Sequence, residues 1–448
     1  MNELLKPGQV IRTHYSGEPC QVERFLGGGG QGEVYRANWA GGQFALKWYF
    51  PQTATREQNV ALQRLIQSHR PPSDRFLWPL DLALADGVRG FGYLMRLREP
   101  RFKSLFDLVT QRIDPTFAAL VTAAIQLADS FHKLHADGLC YRDISFGNAF
   151  FDPDTGEVLI CDNDNVAENR SPVTGVLGTP DFMAPELVRM EALPSRQTDL
   201  FSLAVLLFYM FCTSHPLVGK RILAIRSWDY PARKKMFGLE PLFIFDPDDD
   251  SNAAVDRSLD PYGEAGDNAL ATWPLYPQFL RDLFTKAFTA GVRDADHGRV
   301  TEGEWKFTLG RLHDSLLASC SCGRQNFFDP AQLDAAGRYR KACWNCGLIP
   351  PLPFRLHVGK LAIVLNPDAK LVAHHLEDHS DPGATAPVAE VSRHPTNPNV
   401  LGLKNTSSGR WVATTADGAV KDVEPGKSIV LAGGTRIAFG RQTGELVQ

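Results

Sequence analysis

The sequence has no apolar run long enough to cross a bilayer. Its longest, Leu200 to Cys212, is about 13 residues and contains Ser202, whereas a spanning helix needs about 20. Membrane association is therefore not expected. The stretch from Met1 to Pro7 holds no apolar segment of signal-peptide length, so the expectation is a cytoplasmic protein with reduced cysteines. Charge of one sign is scarce as well: 47 Lys and Arg stand against 51 Asp and Glu, a net charge of -4. That balance excludes a polybasic chain, and nucleic acid is not an expected partner. With 44% hydrophobic and 22% charged residues, the chain is neither disordered nor collagenous. No internal repeat is visible. Cysteine is sparse and uneven. Cys20, Cys140, Cys161 and Cys212 are scattered, while Cys320, Cys322, Cys343 and Cys346 cluster, which is a metal pattern more than a disulfide framework.

What is present divides along the chain. At 448 residues the length suggests roughly three domains. From Gln21 to Leu97 short alternating strands predict a small β-rich lobe, with one helical stretch near Thr55 to Gln67 where Ala61, Leu62, Leu65 and Ile66 repeat at helical spacing. From Phe102 to about Leu317 the apolar period is mostly helical. The cysteine cluster occupies about Ala318 to Pro351. Beyond the linker Pro350-Pro351-Leu352-Pro353, strand-like runs such as Leu361 to Leu365 and Arg410 to Thr414 alternate with turn residues, predicting a separate β-sandwich. The expected fold class is α+β, with boundaries at 1–98, 99–317, 318–352 and 353–448.

The segment Leu26-Gly27-Gly28-Gly29-Gly30-Gln31-Gly32-Glu33-Val34-Tyr35 contains GxGxxG, a pattern that dinucleotide folds and plain turns share. Its context separates them. A dinucleotide loop opens a helix, but Glu33 to Asn38 reads as a strand that turns at Gly41-Gly42 and returns as Phe44 to Tyr49. Alternation puts Ala45 and Lys47 on one face. Gly27, Gly29 and Gly32 can then lay backbone amides over phosphates while Lys47 neutralises their charge. Such a lysine needs an anionic partner. Between Lys47 and Asp74 the only carboxylate is Glu57, on the expected helix. The plain alternative is a surface hairpin with a solvated lysine.

Downstream stand Tyr141-Arg142-Asp143-Ile144-Ser145-Phe146-Gly147-Asn148, then Ile160-Cys161-Asp162-Asn163-Asp164, then Gly178-Thr179-Pro180-Asp181-Phe182-Met183-Ala184-Pro185-Glu186. In that order and spacing, residues of about 15 to 316 resemble the eukaryotic-like serine/threonine protein kinases, and the resemblance implies a bilobal kinase fold. It implies ATP and Mg2+ as cofactors and a protein as substrate. Asp143 would orient and deprotonate the substrate hydroxyl, Asn148 and Asp162 would hold magnesium, and Lys47 would grip the α and β phosphates. Leu26, Val34, Ala45, Met95 and Phe150 would line the adenine slot. Ala184-Pro185-Glu186 would anchor the activation segment through Arg299. Asp199 would cap the central helix and hold the catalytic loop. Ser171 and Thr174 could carry a phosphate clamped by Arg142, and Thr179 accompanies Ser/Thr choice.

This sequence departs from the family at three points. Ser145 replaces a lysine that touches the transferring phosphate, Asn163 and Asp164 replace the phenylalanine and glycine of Asp-Phe-Gly, and Tyr141 replaces a histidine. A small-molecule phosphotransferase and a nucleotide-binding pseudokinase scaffold are therefore the alternative functions. Local phrases such as Phe76 to Asp81, His215 to Arg221 and Thr301 to Trp305 look like bacterial kinases found in gene sets with a metal-dependent phosphatase and a von Willebrand factor A protein, often linked to tellurite resistance. Those two proteins are the partners this likeness suggests.

Cys320-Ser321-Cys322 and Cys343-Trp344-Asn345-Cys346 look like a zinc ribbon whose role would be structural, since four thiolates leave no open position on Zn2+. The first pair is CxC where ribbons usually carry CxxC, so His313 stays open as a ligand. In the last hundred residues Val391-Ser392-Arg393-His394, Leu403 to Gly409, Pro425-Gly426 and Gly434 to Gly440 resemble, in that order, forkhead-associated domains. Ser392, Arg393, Asn405 and Ser407 are the candidate phosphopeptide contacts, although the family's early arginine is absent and His374-His375 stand nearby.

Overall fold

The computed structural model describes residues 4–68, 70–171, 178–318, 320–376 and 386–448. Chain contacts divide it into two units, one of residues 1–115, 119–274 and 281–306, the other of residues 116–118, 275–280 and 307–448.

Strands build the start of the first unit, the first two alternating exposed and buried side chains and the fourth to sixth mostly buried. β1 (Val10–Thr13), β2 (Pro19–Gly28), β3 (Gly32–Trp39), β4 (Gly42–Tyr49), β5 (Asp81–Leu84) and β6 (Gly92–Arg96) close into a barrel in the order β1-β2-β3-β4-β6-β5. The turn between β3 and β4 is made by Ala40 and Gly41, both at positive φ. One side of the sheet packs Ile11, Val22, Tyr35, Leu46, Trp48 and Leu94 into a core. The other side carries Ala45, Tyr49, Tyr93 and Met95, against which Leu62 of α1 (Arg56–Ser68) packs. Thr55 starts that helix by accepting the Gln58 N–H at 3.1 Å, the arrangement expected of an N-cap threonine.

Helices dominate the rest of the unit, with short strands between them: β7 (Lys103–Ser104), β8 (Leu139–Cys140), β9 (Ala149–Phe151), β10 (Val158–Ile160) and β11 (Ala167–Glu168). β10, β9 and β7 form one small sheet, and β11 pairs with β8. The helix Arg196–Cys212 is buried on nearly every face, as its continuous apolar run requires. Its cap is not Asp199, as expected from the sequence, but Ser195, whose hydroxyl accepts the Thr198 N–H in a capping box. Asp199 lies inside the first turn, where its side chain turns to the loop between β8 and β9 instead.

In the second unit β12 (Leu316–Leu317) pairs with β13 (Asn326–Phe327). Ten strands follow: β14 (Arg355–Val358), β15 (Leu361–Val364), β16 (Lys370–Val372), β17 (Pro387–Arg393), β18 (Leu401–Asn405), β19 (Trp411–Thr414), β20 (Val420–Val423), β21 (Ser428–Val430), β22 (Arg436–Ala438) and β23 (Thr443–Val447). They form a six-stranded sheet, β15-β14-β23-β22-β19-β20, and a four-stranded sheet, β16-β17-β18-β21. Leu356, Ile363, Trp411 and Leu446 of the first share one core with Leu371, Val391, Leu403 and Ile429 of the second. Residues 318–352 and 353–448, expected as two domains, share a smaller cluster as well, in which Leu317, Phe328 and Tyr339 meet Val364.

Candidate active site

The hairpin of β3 and β4 pairs Val34 with Lys47, and β6 places Tyr93 across from Lys47 on the other side. Lys47 is buried, with 4% of its surface exposed. Its Nζ donates to both Asp164 oxygens at 3.1 and 3.0 Å and to Gln31 Oε1 at 3.0 Å, and lies 3.4 Å from Asp162 Oδ1. Burial pulls the ammonium toward neutrality, but Asp164 and Asp162 outweigh it and hold its pKa above the usual lysine value. In the glycine loop Gly29 N–H donates to Gly32 O at 2.9 Å. A Cβ at Gly32 would lie 2.2 Å from Trp48 O, so that glycine is required by strand packing, whereas a Cβ at Gly27 or Gly29 would meet nothing within 4 Å. Val34, Ala45 and Met95 fall in one apolar cluster with Leu159 and Cys161. Leu26 is 40% exposed, and Phe150 packs under the Arg98 guanidinium at 4.2 Å.

The loop between β8 and β9 carries the second group. Asp143 accepts Thr179 Oγ1–H at 2.7 Å on one oxygen and Asn148 Nδ2 at 3.0 Å on the other. Asn148 thus spends its amide nitrogen on Asp143, so Oδ1 is the atom it offers to a hard cation. Its backbone carbonyl accepts Cys161 N–H at 2.8 Å, next to Asp162. Asp162 adopts φ 49° and keeps 37% of its side chain exposed. The loop is suspended from Asp199, whose carboxylate accepts the backbone N–H groups of Tyr141 and Arg142, the latter at 3.0 Å. Tyr141 fills its position as a buried ring, and its hydroxyl donates to Cys161 O.

The carboxylate on Lys47 is Asp164, and not Glu57. Glu57 is exposed in the first turn of α1, and the neighbouring Gln58 faces the site, donating to Tyr49 OH at 3.1 Å and to Asp164 O at 3.3 Å. Sequence distance misled here: the segment 117 residues downstream supplies the charge. Gln31, Tyr49, Tyr93 and Asp164 escaped the sequence reading. The signal for Asp164 was present in the unusual Asp162-Asn163-Asp164, read there only as a departure. Farther along, Arg299 Nη2 donates to Glu186 at 2.8 and 3.1 Å with its guanidinium 4.7 Å over the Phe201 ring. Arg142 Nη2 donates to Ser171 Oγ at 2.6 Å. Thr174 lies outside the described residues.

Residues 20–231 match the family model of the protein kinase domain. Such a domain implies a bilobal fold of mixed helix and strand. The kinase-domain segment is similar to the DNA damage-responsive serine/threonine-protein kinase RqkA of Deinococcus radiodurans, 28% identical over 247 residues, covering 48% of this chain and 32% of that protein. It is also similar to the serine/threonine-protein kinase PkaB of Streptomyces coelicolor, 28% identical over 225 residues, covering 45% of this chain and 51% of that protein. A third relative is the serine/threonine-protein kinase SCH9 of Saccharomyces cerevisiae, 26% identical over 229 residues, covering 47% and 26%. The chain spans about half or less of the length of these relatives.

Outside the kinase-domain segment, the second unit gathers Cys320, Cys322, Cys343 and Cys346 so that their sulfurs lie within 4.8 Å of one another. Cys320 Sγ is 3.4 Å from Cys346 Sγ and Cys322 Sγ is 3.7 Å from Cys343 Sγ. Four thiolates around Zn2+ at about 2.3 Å would be about 3.8 Å apart, so the cluster fits a tetrahedral ion. His313 is not in this cluster; its ring faces Asp314 at 4.0 Å.

The four candidate phosphopeptide residues are not brought together. β17 and β18 run antiparallel with Arg393 opposite Leu401 and Asn405 opposite Ala389. Arg393 and Ser392 therefore lie at one end of the sheet and Asn405 and Ser407 at the other, about 13 Å apart along the strands. Asn405 is fully buried and already saturated: it donates to Gly409 O at 2.7 Å and Val423 O at 2.9 Å, and its Oδ1 accepts from Ser407 N and Oγ at 3.0 and 2.7 Å. Its work is to close a turn. His375 is likewise spent internally, accepting Val372 N–H at 2.9 Å and facing Asp314 at 3.1 Å.

Proposed function

We propose that this protein is an ATP-dependent serine/threonine protein kinase that transfers the γ-phosphoryl group to a protein hydroxyl, on itself or on a partner. The observation that carries the reading is the convergence of Lys47 on Asp162, at 3.4 Å, beside a catalytic loop in which Asn148 Nδ2 reaches Asp143 at 3.0 Å. Lys47 would neutralise the nucleotide's α and β phosphates. Asn148 Oδ1 and Asp162 would hold magnesium as hard oxygen ligands, and the ion would balance charge developing between the phosphates. Asp143 would take the proton from the substrate hydroxyl. Its second oxygen accepts from Thr179, which ties the base to the segment where a protein substrate would lie, and this favours a protein over a small molecule as acceptor.

The finer reading extends to the second unit. The cysteine cluster would bind one structural Zn2+, and the two sheets would form a β-sandwich like that of forkhead-associated domains, serving to dock a partner and raise local substrate concentration. The partners suggested by the likeness to tellurite-associated gene sets are a metal-dependent phosphatase and a von Willebrand factor A protein, and the working location would be cytoplasmic. The experiment is intact-mass and peptide mass spectrometry of the purified chain before and after magnesium-ATP, alone and with candidate partners. Added phosphate on Ser or Thr supports a kinase. Nucleotide binding without transfer would leave the pseudokinase scaffold, and phosphate found only on small molecules would leave the small-molecule phosphotransferase.

A further inference from the structure

We infer that Asp164 is the positioning carboxylate for the nucleotide-binding lysine, and that the segment after β10, not α1, sets the alignment of Lys47. This inference rests on the proposed kinase function and assigns a control point within that site.

The side chain of Asp164 is completely buried. A buried carboxylate has to be satisfied by donors, and this one draws them from three side chains. Lys47 donates to both of its oxygens, Tyr93 OH donates to Oδ1 at 2.8 Å, and Tyr49 OH donates to Oδ2. The two phenols are pushed well above their ordinary range by burial and by Asp164 itself, so both remain proton donors. The barrel presents this grip as a unit. Lys47 and Tyr49 alternate onto one face of β4, and Tyr93 is the cross-strand partner of Lys47.

The grip has two consequences. It fixes the direction of the lysine, and it anchors the turn that begins at Asp162, whose left-handed backbone is a costly conformation for a residue with a side chain. The metal-ligand candidate and the phosphate-binding cation are thus positioned by one carboxylate between them. Among the described residues, α1 contributes neutral contacts to this group, through Gln58 to Tyr49 OH and to the Asp164 carbonyl. A displacement of α1 would then break no ion pair to Lys47.

The test measures magnesium-dependent binding of a fluorescent ATP analogue and steady-state phosphoryl transfer for wild type, Asp164→Asn, Glu57→Gln, and Asp164→Gly with and without Gln58→Glu, each with a thermal melt. Asp164→Asn should raise KM for ATP and Kd for the analogue roughly tenfold or more, the scale of a lost charged hydrogen-bond set. Glu57→Gln, at an exposed position, should change neither. Adding Gln58→Glu to Asp164→Gly should recover nucleotide affinity, because a carboxylate returns to the Lys47 neighbourhood from the helix; a residue needed only for folding would not be rescued this way. Wild-type affinity in a folded Asp164→Asn, or a tenfold loss in Glu57→Gln, would overturn the inference. If Asp164→Asn does not fold, the Glu57→Gln result and the rescue pair decide, and a folded pair without recovered affinity counts against it. A wild type that binds no nucleotide would instead sink the proposed function itself.

Discussion

Arg142 donates through Nη2 to Ser171 Oγ at 2.6 Å, across 29 residues of chain. The same guanidinium has a buried Nε without a hydrogen-bond partner among the described residues. Both residues line a cavity of about 460 Å3 that Arg56 and Arg64 of α1 line as well. Arg142 also precedes Asp143, and its backbone is held by Asp199, so whatever fixes this arginine acts on the loop that carries Asp143.

A phosphate on Ser171 would supply acceptors to the unpaired Nε and place its charge among arginines. Ser171→Ala together with Thr174→Ala should therefore lower kcat for protein phosphorylation by roughly tenfold or more, with KM for ATP little changed. Mass spectrometry should find phosphate on one of the two in active wild type. Undiminished activity in the double variant would show that this segment is not switched by phosphate.

Removal of the proposed catalytic base has a sharper signature. Asp143→Asn preserves volume, keeps one carbonyl oxygen to accept from Asn148 Nδ2 and turns its Nδ2 toward the Thr179 hydroxyl, which can accept, so the thermal midpoint should stay close to that of wild type. Label transfer should fall by roughly 10²–10⁴, the usual contribution of a positioned general base. Equal activity in wild type and variant would remove Asp143 from the chemistry.

Much of this arrangement was legible in the sequence, because residues that act through short, ordered motifs carry their spacing with them. Asp143 and Asn148 are five residues apart and meet through one side-chain hydrogen bond. The strand alternation that put Ala45 and Lys47 on one face holds in β4, where Leu46 and Trp48 pack in one core and Ala45 and Tyr49 in the other. Long-range pairing was not legible in that way. Lys47 had one nearby carboxylate in the sequence, but Tyr49 and Tyr93 offer hydroxyls to an anion beside it, and Asp164 can reach all three while Glu57 cannot enter the buried site. In the second unit the order of Ser392, Arg393, Asn405 and Ser407 looked like a binding constellation, yet antiparallel register carries the pairs to opposite ends. Order along the chain does not encode which end of a strand a residue occupies.

The cysteine cluster should hold one zinc ion per chain, measured by atomic emission on the purified protein. Cys343→Ser should lose the metal and lower the melting temperature of the second unit, because Tyr339 packs beside Phe328 and Val364 on the same segment and that segment would lose its cross-link. Substoichiometric zinc in a folded sample would contradict the assignment.

Arg299 and Glu186 form an ion pair in which the arginine side chain is only 2% exposed and the glutamate 11%. Arg299→Met should cost about 3–5 kcal/mol, since it leaves Glu186 charged and buried without its partner. The double variant Arg299→Met with Glu186→Gln should recover much of that loss in denaturation experiments. Equal destabilisation in single and double variants would mean that the arginine works through its packing on Phe201 and not through the charge pair.

Glu302 should make the fold sensitive to acid. Glu302 is fully buried, facing His135 Nδ1 and accepting from Arg196 Nη2 at 2.7 Å, while His135 Nε2 faces Asp199 at 3.1 Å. Burial pushes the Glu302 carboxyl up, but the hydrogen bonds from His135 and Arg196 prevail and bring its pKa from 4.5 down to about 2. The His135 ring is drawn the other way: burial lowers its pKa, and Asp199 and Glu302 raise it above the ordinary histidine value. A carboxyl with a depressed folded pKa stabilises the fold above its unfolded pKa and loses that contribution as pH falls through the folded one, here between 4.5 and about 2. The raised histidine acts in the opposite sense, contributing below its unfolded pKa and losing that share as pH rises through its folded value. The carboxyl shift corresponds to on the order of 3 kcal/mol. Glu302→Gln should therefore be less stable than wild type by a margin that is largest above about pH 5 and closes toward about pH 2, read from denaturant midpoints by tryptophan fluorescence, with Trp305 three residues away in the same helix as a buried reporter. A margin that stays constant across that range would show that Glu302 stabilises the fold by packing, with no ionised partnership to titrate.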